Sequence, residues 1–273
     1  MKALILAPFY PECIDELRAK IDVTYESWLD TKRLYAPEEL AKRLNAEGVS
    51  ILVTEGDFVL EEVFQQVGCL KFVGVCRNST SQVDLDSATE RGIVVVNTPG
   101  RNALAVAELV LGLMLSLARR ITSSHNVVAS GRWRDPLSPY LELRGTELAG
   151  KTLGIVGLGS IGSMVAEKAL AFGMRVIAHD PYISPDIKCP NDVSMVGLEE
   201  LLSSSDFVSL HLPATPEAAG AIGREGLGLM KPTAYLINTS TPQAVDHDAL
   251  AEALRNDRIA GAGLDVHEMG PRR

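Results

Sequence analysis

Residues 151–181 read KTLGIVGLGSIGSMVAEKALAFGMRVIAHDP, and this stretch decides the fold. TLGIV is a continuous apolar run of strand length, and the turn Gly157-Leu158-Gly159-Ser160-Ile161-Gly162 follows it directly. SMVAEKALAFG then has helical spacing and RVIAHD reads as a second strand. Set between strand and helix, each glycine has a physical task. The first permits the tight turn, the second lets backbone approach a pyrophosphate, and the third lets helix pack closely on strand. The helix start aims free N–H groups and the positive end of its dipole at the phosphates. Asp180, at the end of the second strand, is placed to accept both hydroxyls of a ribose, and its charge would repel a 2′-phosphate. The stretch therefore predicts a dinucleotide site that takes NAD over NADP.

Working outward, FVSLHLP, AYLINTS and IAGAGLDV are near-continuous apolar runs separated by helical stretches such as HDALAEALRND, the pattern of a parallel sheet buried on both faces. Residues 1–98 repeat the theme on a smaller scale. There ALILA, ILVTEG, FVGVC and IVVVN are strand-like, and CIDELRAK, PEELAKRLN, LEEVFQQVG and VDLDSATERG are helical. The turn cluster Asn97-Thr98-Pro99-Gly100 separates this region from ALAVAELVLGLMLSLARR, a helix apolar nearly all round that predicts cover on most sides. SGRWRDPLSPYLELRGTELAG has no clean period and predicts an irregular connection. The expected architecture is α/β, with two doubly wound parallel-sheet domains over residues 1–100 and 101–273.

The bulk composition fits. A 273-residue chain that is 46% apolar and 22% charged can bury sizeable cores. Its net charge of -9 disfavours nucleic acid and anionic membrane surfaces, which are held mainly by Lys and Arg. Cys13, Cys69, Cys76 and Cys189 form no CxxC pair and have no metal-ligand spacing, so free thiols in a reducing compartment and no metal are expected. The opening MKALILAPFYPE is a first strand ended by Pro8 rather than a signal peptide, and the most apolar segment, residues 103–118, contains Glu108 and falls short of the roughly 20 apolar residues of a membrane span. A cytoplasmic protein without a membrane segment is expected.

With these elements in place, the chain resembles the D-isomer-specific 2-hydroxyacid dehydrogenases, the group that includes phosphoglycerate dehydrogenase. CRNSTSQVDLDSATERGIVVVNTPGRNALAVAELVLGLMLSLARR, LAGKTLGIVGLGSIGSMVAEKALAFGMRVIAHDPY, HLPATPE, LMKPTAYLINTS and RIAGAGLDV carry the resemblance in order and spacing. It implies a flavodoxin-like substrate-binding domain followed by a Rossmann NAD-binding domain that is incomplete at its C-terminus, a homodimer, and hydride transfer between the nicotinamide and a small 2-hydroxy or 2-oxo acid. Carried over by position, it places Gly157, Gly159, Ser160, Ile161 and Gly162 at the pyrophosphate and Asp180 at the adenosine ribose. Leu212 and Pro213 fall on the adenine side, Thr239 at the nicotinamide ribose and Asp265 at the carboxamide. The turn Asn78-Ser79-Thr80 would hold the substrate carboxylate with backbone N–H groups, beside Arg77. The family usually has glycines at that turn, and the bulkier residues here bear on how a substrate approaches.

The catalytic pattern departs from the family. The line Asn238-Thr239-Ser240-Thr241-Pro242-Gln243-Ala244-Val245-Asp246 stands where the family has a pattern like NTARGxxVD, so Thr241 occupies the position of the Arg that clamps the substrate. A hydroxyl supplies neither the charge nor the fork of a guanidinium. The family's Glu, five residues past the Asp of LDV, falls on Gly270, and the His of its HxGxxT-like motif would lie beyond Arg273. His267 and Glu268 are the nearest acid-base substitutes. Three functions follow from this pattern: an oxidoreductase of the family lacking its usual catalytic set, an inactive NAD-binding sensor, scaffold or partner subunit, or a non-redox enzyme that reuses the bound cofactor or the cleft.

Overall fold

The computed structural model describes residues 1–135, 137–183 and 193–267. The chain divides into two compact units, Met1–Arg101 and Asn102–Arg273. Each holds a parallel sheet of its own.

In the first unit, β1 (Lys2–Ile5), β2 (Asp22–Tyr25), β3 (Ile51–Thr54), β4 (Phe72–Val75) and β5 (Val94–Asn97) lie in the order β2-β1-β3-β4-β5 with every pairing parallel. That order is the flavodoxin-like one. The helices are α1 (Pro11–Arg18), α2 (Trp28–Thr31), α3 (Pro37–Ala46), α4 (Glu61–Gln66) and α5 (Leu85–Glu90). Pro11 and Pro37 open α1 and α3, where a fixed φ helps and a missing N–H costs nothing. Asp84 caps α5 by accepting from the Ser87 N–H. Leu4 of β1, Leu52 of β3 and Val73 and Val75 of β4 pack with Leu40 and Leu44 of α3 and Val63 and Phe64 of α4. Each such side chain withdrawn from water contributes ~1.5–3 kcal/mol. The sequence pattern does not predict β2. It is an edge strand whose DVTY is half-buried at most, so no apolar run marks it.

In the second unit, β6 (Thr152–Val156), β7 (Arg175–His179), β8 (Ser194–Met195), β9 (Phe207–Leu210), β10 (Tyr235–Asn238) and β11 (Gly261–Leu264) lie in the order β11-β10-β9-β6-β7-β8, again all parallel. The strand order reverses between β6 and β9, and in such sheets the crevice outside the carboxyl ends at that reversal receives the ligand. The long helix α6 (Ala103–Ala118) and α9 (Ser160–Ala171) cover one face with Ala107, Val110, Met114, Val165 and Ala169. The helices α10 (Leu198–Ser204), α11 (Arg224–Leu229) and α12 (His247–Arg255) cover the other. Strand β6 shows the period of two directly, since Leu153 and Ile155 enter the first core and Val156 the second. Gly154, on the second face, makes room for α10: a Cβ there would lie 2.3 Å from Ser205 Oγ and 2.6 Å from Leu201 Cδ2.

Two expectations need correcting. The segment expected to be irregular contains α8 (Leu137–Glu142), and α7 (Ile121–Ala129) precedes it. Asp135 Oδ1 accepts from the N–H groups of Leu137 and Ser138, satisfying two donors at the start of α8. Helix α6 is covered on its Ala107, Val110, Leu111 and Met114 face, while Leu104 and Leu109 are exposed. No helix among the described residues is long and apolar enough to cross a membrane.

Candidate dinucleotide-binding site

The glycine turn joins β6 to α9 at the strand-order reversal. Gly157 has φ +92°, a left-handed value that penalises any side chain, and a Cβ there would lie 2.5 Å from the His211 carbonyl oxygen. At Gly162 a Cβ would lie 2.2 Å from the Gly157 carbonyl oxygen, so the third glycine is what lets α9 start against the strand end. Gly159 differs from both: nothing lies within 4 Å of a Cβ built on it. Open space over the middle glycine, with backbone crowding at the outer two, is the shape a pyrophosphate requires.

The donors match. Gly159 is the N-cap of the twelve-residue α9 and contributes no side-chain cap, so the N–H groups of Ser160, Ile161 and Gly162 have no acceptor among the described residues. Asp180 sits just past β7 and holds the turn from beside it. Its Oδ2 accepts from the Leu158 N–H at 3.0 Å and its Oδ1 from the Tyr182 N–H at 3.0 Å. Leu212 comes within 3.6 Å of the Cβ position at Gly157, which places the stretch after β9 against the same turn. Pro213 beside it is exposed.

Thr239 and Asp265 follow the ends of β10 and β11, and the Asp265 N–H donates to the Asn238 carbonyl at 3.0 Å, drawing the two ends together. Thr239 Oγ1 is buried without a partner, an orphaned polar atom of the kind a bound ligand satisfies. Sequence reasoning missed Asn238, which organises this corner. Fully buried, it donates from Nδ2 to the Thr241 carbonyl at 2.9 Å, and its Oδ1 accepts from the Ser240 N–H and hydroxyl at 3.0 and 2.8 Å. Thr241 is 5% exposed and its hydroxyl donates to the Gln243 side-chain oxygen.

The histidines separate clearly. His211 Nε2 lies 3.0 Å from Ser209 Oγ, its Nδ1 is buried without a partner, and burial pushes its pKa down to about 4, so the ring is neutral at physiological pH. His179 Nδ1 lies 3.1 Å from the Val196 carbonyl oxygen and His247 Nε2 lies 3.1 Å from that of Pro242, both local roles. His267 is exposed, and β11 ends at Leu264, so the strand that would put it on one face with Asp265 does not reach it. Glu268 and Gly270 lie outside the described residues.

In the first unit, Arg77, Asn78 and Ser79 are exposed in the loop after β4, with Thr80 half-buried. None of the four has a positive φ, so their side chains sit without the backbone strain that would demand glycine. Nearby chemistry that the sequence did not disclose centres on Glu55, which accepts from Trp28 Nε1 at 3.0 Å and pairs with Arg101.

Residues 111–273 match the family described as D-isomer specific 2-hydroxyacid dehydrogenase, NAD binding domain. The chain belongs to the D-isomer-specific 2-hydroxyacid dehydrogenase family. It is 41% identical over 248 residues to the glyoxylate reductase of Thermococcus litoralis, covering 90% of this chain and 74% of that protein. It is 37% identical over 272 residues to the D-3-phosphoglycerate dehydrogenase of Methanocaldococcus jannaschii, and there it spans 99% of its own length and only 50% of the relative's. Among solved structures, D-lactate dehydrogenase from Aquifex aeolicus, complexed with NAD and lactic acid, superposes with a TM-score of 0.79 at 29% identity, covering 98% of this chain and 78% of that one. This is an oxidoreductase family, the second unit has its Rossmann fold, and NAD(H) is the cofactor.

Proposed function

We propose that the Asn102–Arg273 unit holds NAD(H) with its pyrophosphate over Gly159, its adenosine ribose on Asp180 and its adenine side against Leu212 and Pro213. Thr239 and Asp265 then serve the nicotinamide end. The observation that carries this reading is the open Cβ position at Gly159 beneath three unpaired N–H groups at the start of α9. When bound, NAD(H) supplies the hydride chemistry, and the residues of the chain bind and orient it. The Met1–Arg101 unit presents residues 77–80 to the carboxylate of a small 2-hydroxy or 2-oxo acid, with four backbone N–H groups that have no acceptor among the described residues.

Turnover of such an acid is the step this chain is poorly equipped for. Thr241, at the position of the family's guanidinium, is buried and turned onto Gln243, so it adds neither charge nor a fork of donors for developing oxyanion charge. That favours an NAD-binding member of the family with impaired or absent dehydrogenase activity, acting as a sensor, scaffold or partner subunit. With saturating NADH, the full chain should oxidise no cofactor above background on addition of glyoxylate, pyruvate, hydroxypyruvate or phosphohydroxypyruvate. Sustained loss of absorbance at the NADH band with any one of them would overturn this reading.

We further place the protein in the cytoplasm, a reducing setting that suits the free and exposed Cys13 and Cys69, and propose that it is a homodimer. Ile121, Val128, Trp133, Leu137, Tyr140 and Leu141 are all at least half exposed within twenty-one residues, more apolar surface than a solitary unit favours. Sedimentation at micromolar concentration should give twice the mass of one chain; a monomer would rule the dimer out.

A further inference from the structure

The loop after β4 is held by the end of β5, and the way it is held sets the direction of its N–H groups. In a trans peptide the carbonyl and the following N–H point opposite ways, so whatever fixes a carbonyl also aims the next N–H. The Thr98 N–H donates to the Arg77 carbonyl at 3.2 Å. Asn97 Nδ2 donates to the Asn78 carbonyl at 2.6 Å. Both carbonyls therefore face residues 97–98, and the N–H groups of Asn78 and Ser79 face away from them. Those two N–H groups have no acceptor among the described residues. The far side of the loop is closed by Val83 N–H to the Thr80 carbonyl at 2.8 Å and Ser81 N–H to Ser79 Oγ at 3.2 Å. Successive outward N–H groups make a concavity for an anion.

Asn97 can do this because of register. It pairs with Val75 on β4, and β5 is the edge of the sheet, so its side chain is free to reach over the end of β4 to the loop. We propose that Asn97 is a positioning residue: its side-chain amide holds the peptide between Asn78 and Ser79 so that the Ser79 N–H meets the carboxylate of a 2-oxo acid. This rests on the reading of residues 77–80 as the substrate turn. Asn97 itself touches no substrate. It acts only through the peptide it orients.

The test is titration of the NADH-saturated full chain with oxamate, an unreactive 2-oxo acid mimic, by calorimetry and by the amide signals of residues 78–80 in 15N-labelled protein. Wild type should bind oxamate and shift the Ser79 amide. Asn97→Ala and Asn97→Asp, which keeps the shape but cannot donate to a carbonyl, should each raise the oxamate Kd at least about tenfold, with the NADH Kd within about twofold of wild type. The Ser79 shift on adding oxamate should also disappear. If wild type binds oxamate on these amides and both variants bind it within about twofold, the positioning role falls while the substrate turn stands. If wild type gives no oxamate binding, or perturbs amides only elsewhere, the substrate turn falls and takes Asn97 with it. Weakened NADH binding in both variants would also overturn the proposal, because it would make Asn97 a general structural residue.

Discussion

Replacing Gly162 by valine is expected to raise the Kd for NADH about a thousandfold, or ~4 kcal/mol, while leaving the Met1–Arg101 unit folded. A Cβ at this position would lie 2.2 Å from the Gly157 carbonyl oxygen and 3.2 Å from Ile155 Cγ2. A backbone oxygen cannot step aside as a flexible side chain can, so α9 must shift away from the end of β6. Overpacking of this kind costs about 1–3 kcal/mol in itself. The shift also displaces the N–H groups of Ser160 and Ile161, and hydrogen bonds to a charged phosphate are worth about 1.5–3 kcal/mol each. Calorimetric titration with NADH measures the loss directly. Gly159→Ala is the control: its Cβ meets no protein atom within 4 Å, so the fold should be kept and only the approach of the phosphate should suffer. Retention of wild-type NADH affinity by Gly162→Val would place the pyrophosphate somewhere other than this turn.

Asp180→Ala should weaken NADH binding roughly a hundredfold and abolish any preference over NADPH. Two effects combine. The carboxylate braces the glycine turn through the Leu158 and Tyr182 N–H groups, and its loss leaves the Leu158 donor unpaired next to the phosphates. It is also the acceptor for the ribose hydroxyls and the charge that opposes a 2′-phosphate. The two contributions separate in the ratio of affinities: bracing affects both cofactors equally, whereas the ribose contact and the repulsion affect only their ratio. A variant that loses affinity for both while keeping the wild-type ratio would leave Asp180 a structural brace and no more.

The part of the molecule that was legible in the sequence is the part built from backbone necessity. Gly157 and Gly162 are required by contacts a Cβ cannot make, and Asp180 by its place at a strand end, so residue type alone disclosed them. The six strands of the second sheet read clearly except β8, an edge strand whose two residues are too few to carry a pattern. Strand β2 escaped because an edge strand need not be apolar, and α8 because its start signal, Asp135, stood inside a segment whose Gly and Pro content argued for loop. Asn97 and Asn238 were invisible for a different reason. Asn97 donates its side-chain amide to the Asn78 carbonyl, whose place only the pairing of β4 with β5 sets, and Asn238 donates to the Thr241 carbonyl three residues on, in a turn that its residue type alone does not announce. Thr241 shows the reverse case. Its departure from the family pattern is plain in the sequence, but only the structure shows its hydroxyl donating to the Gln243 side chain.

The glycine turn and Asp180 of the second unit should together form a working site for NAD(H). Titration of the wild-type full chain with NADH and, separately, with NADPH tests it most directly. Saturable binding of one NADH per chain is expected, with NADPH weaker by at least about tenfold because of the Asp180 carboxylate. Absence of any heat or fluorescence change with both cofactors, or NADPH bound as tightly as NADH, would contradict it.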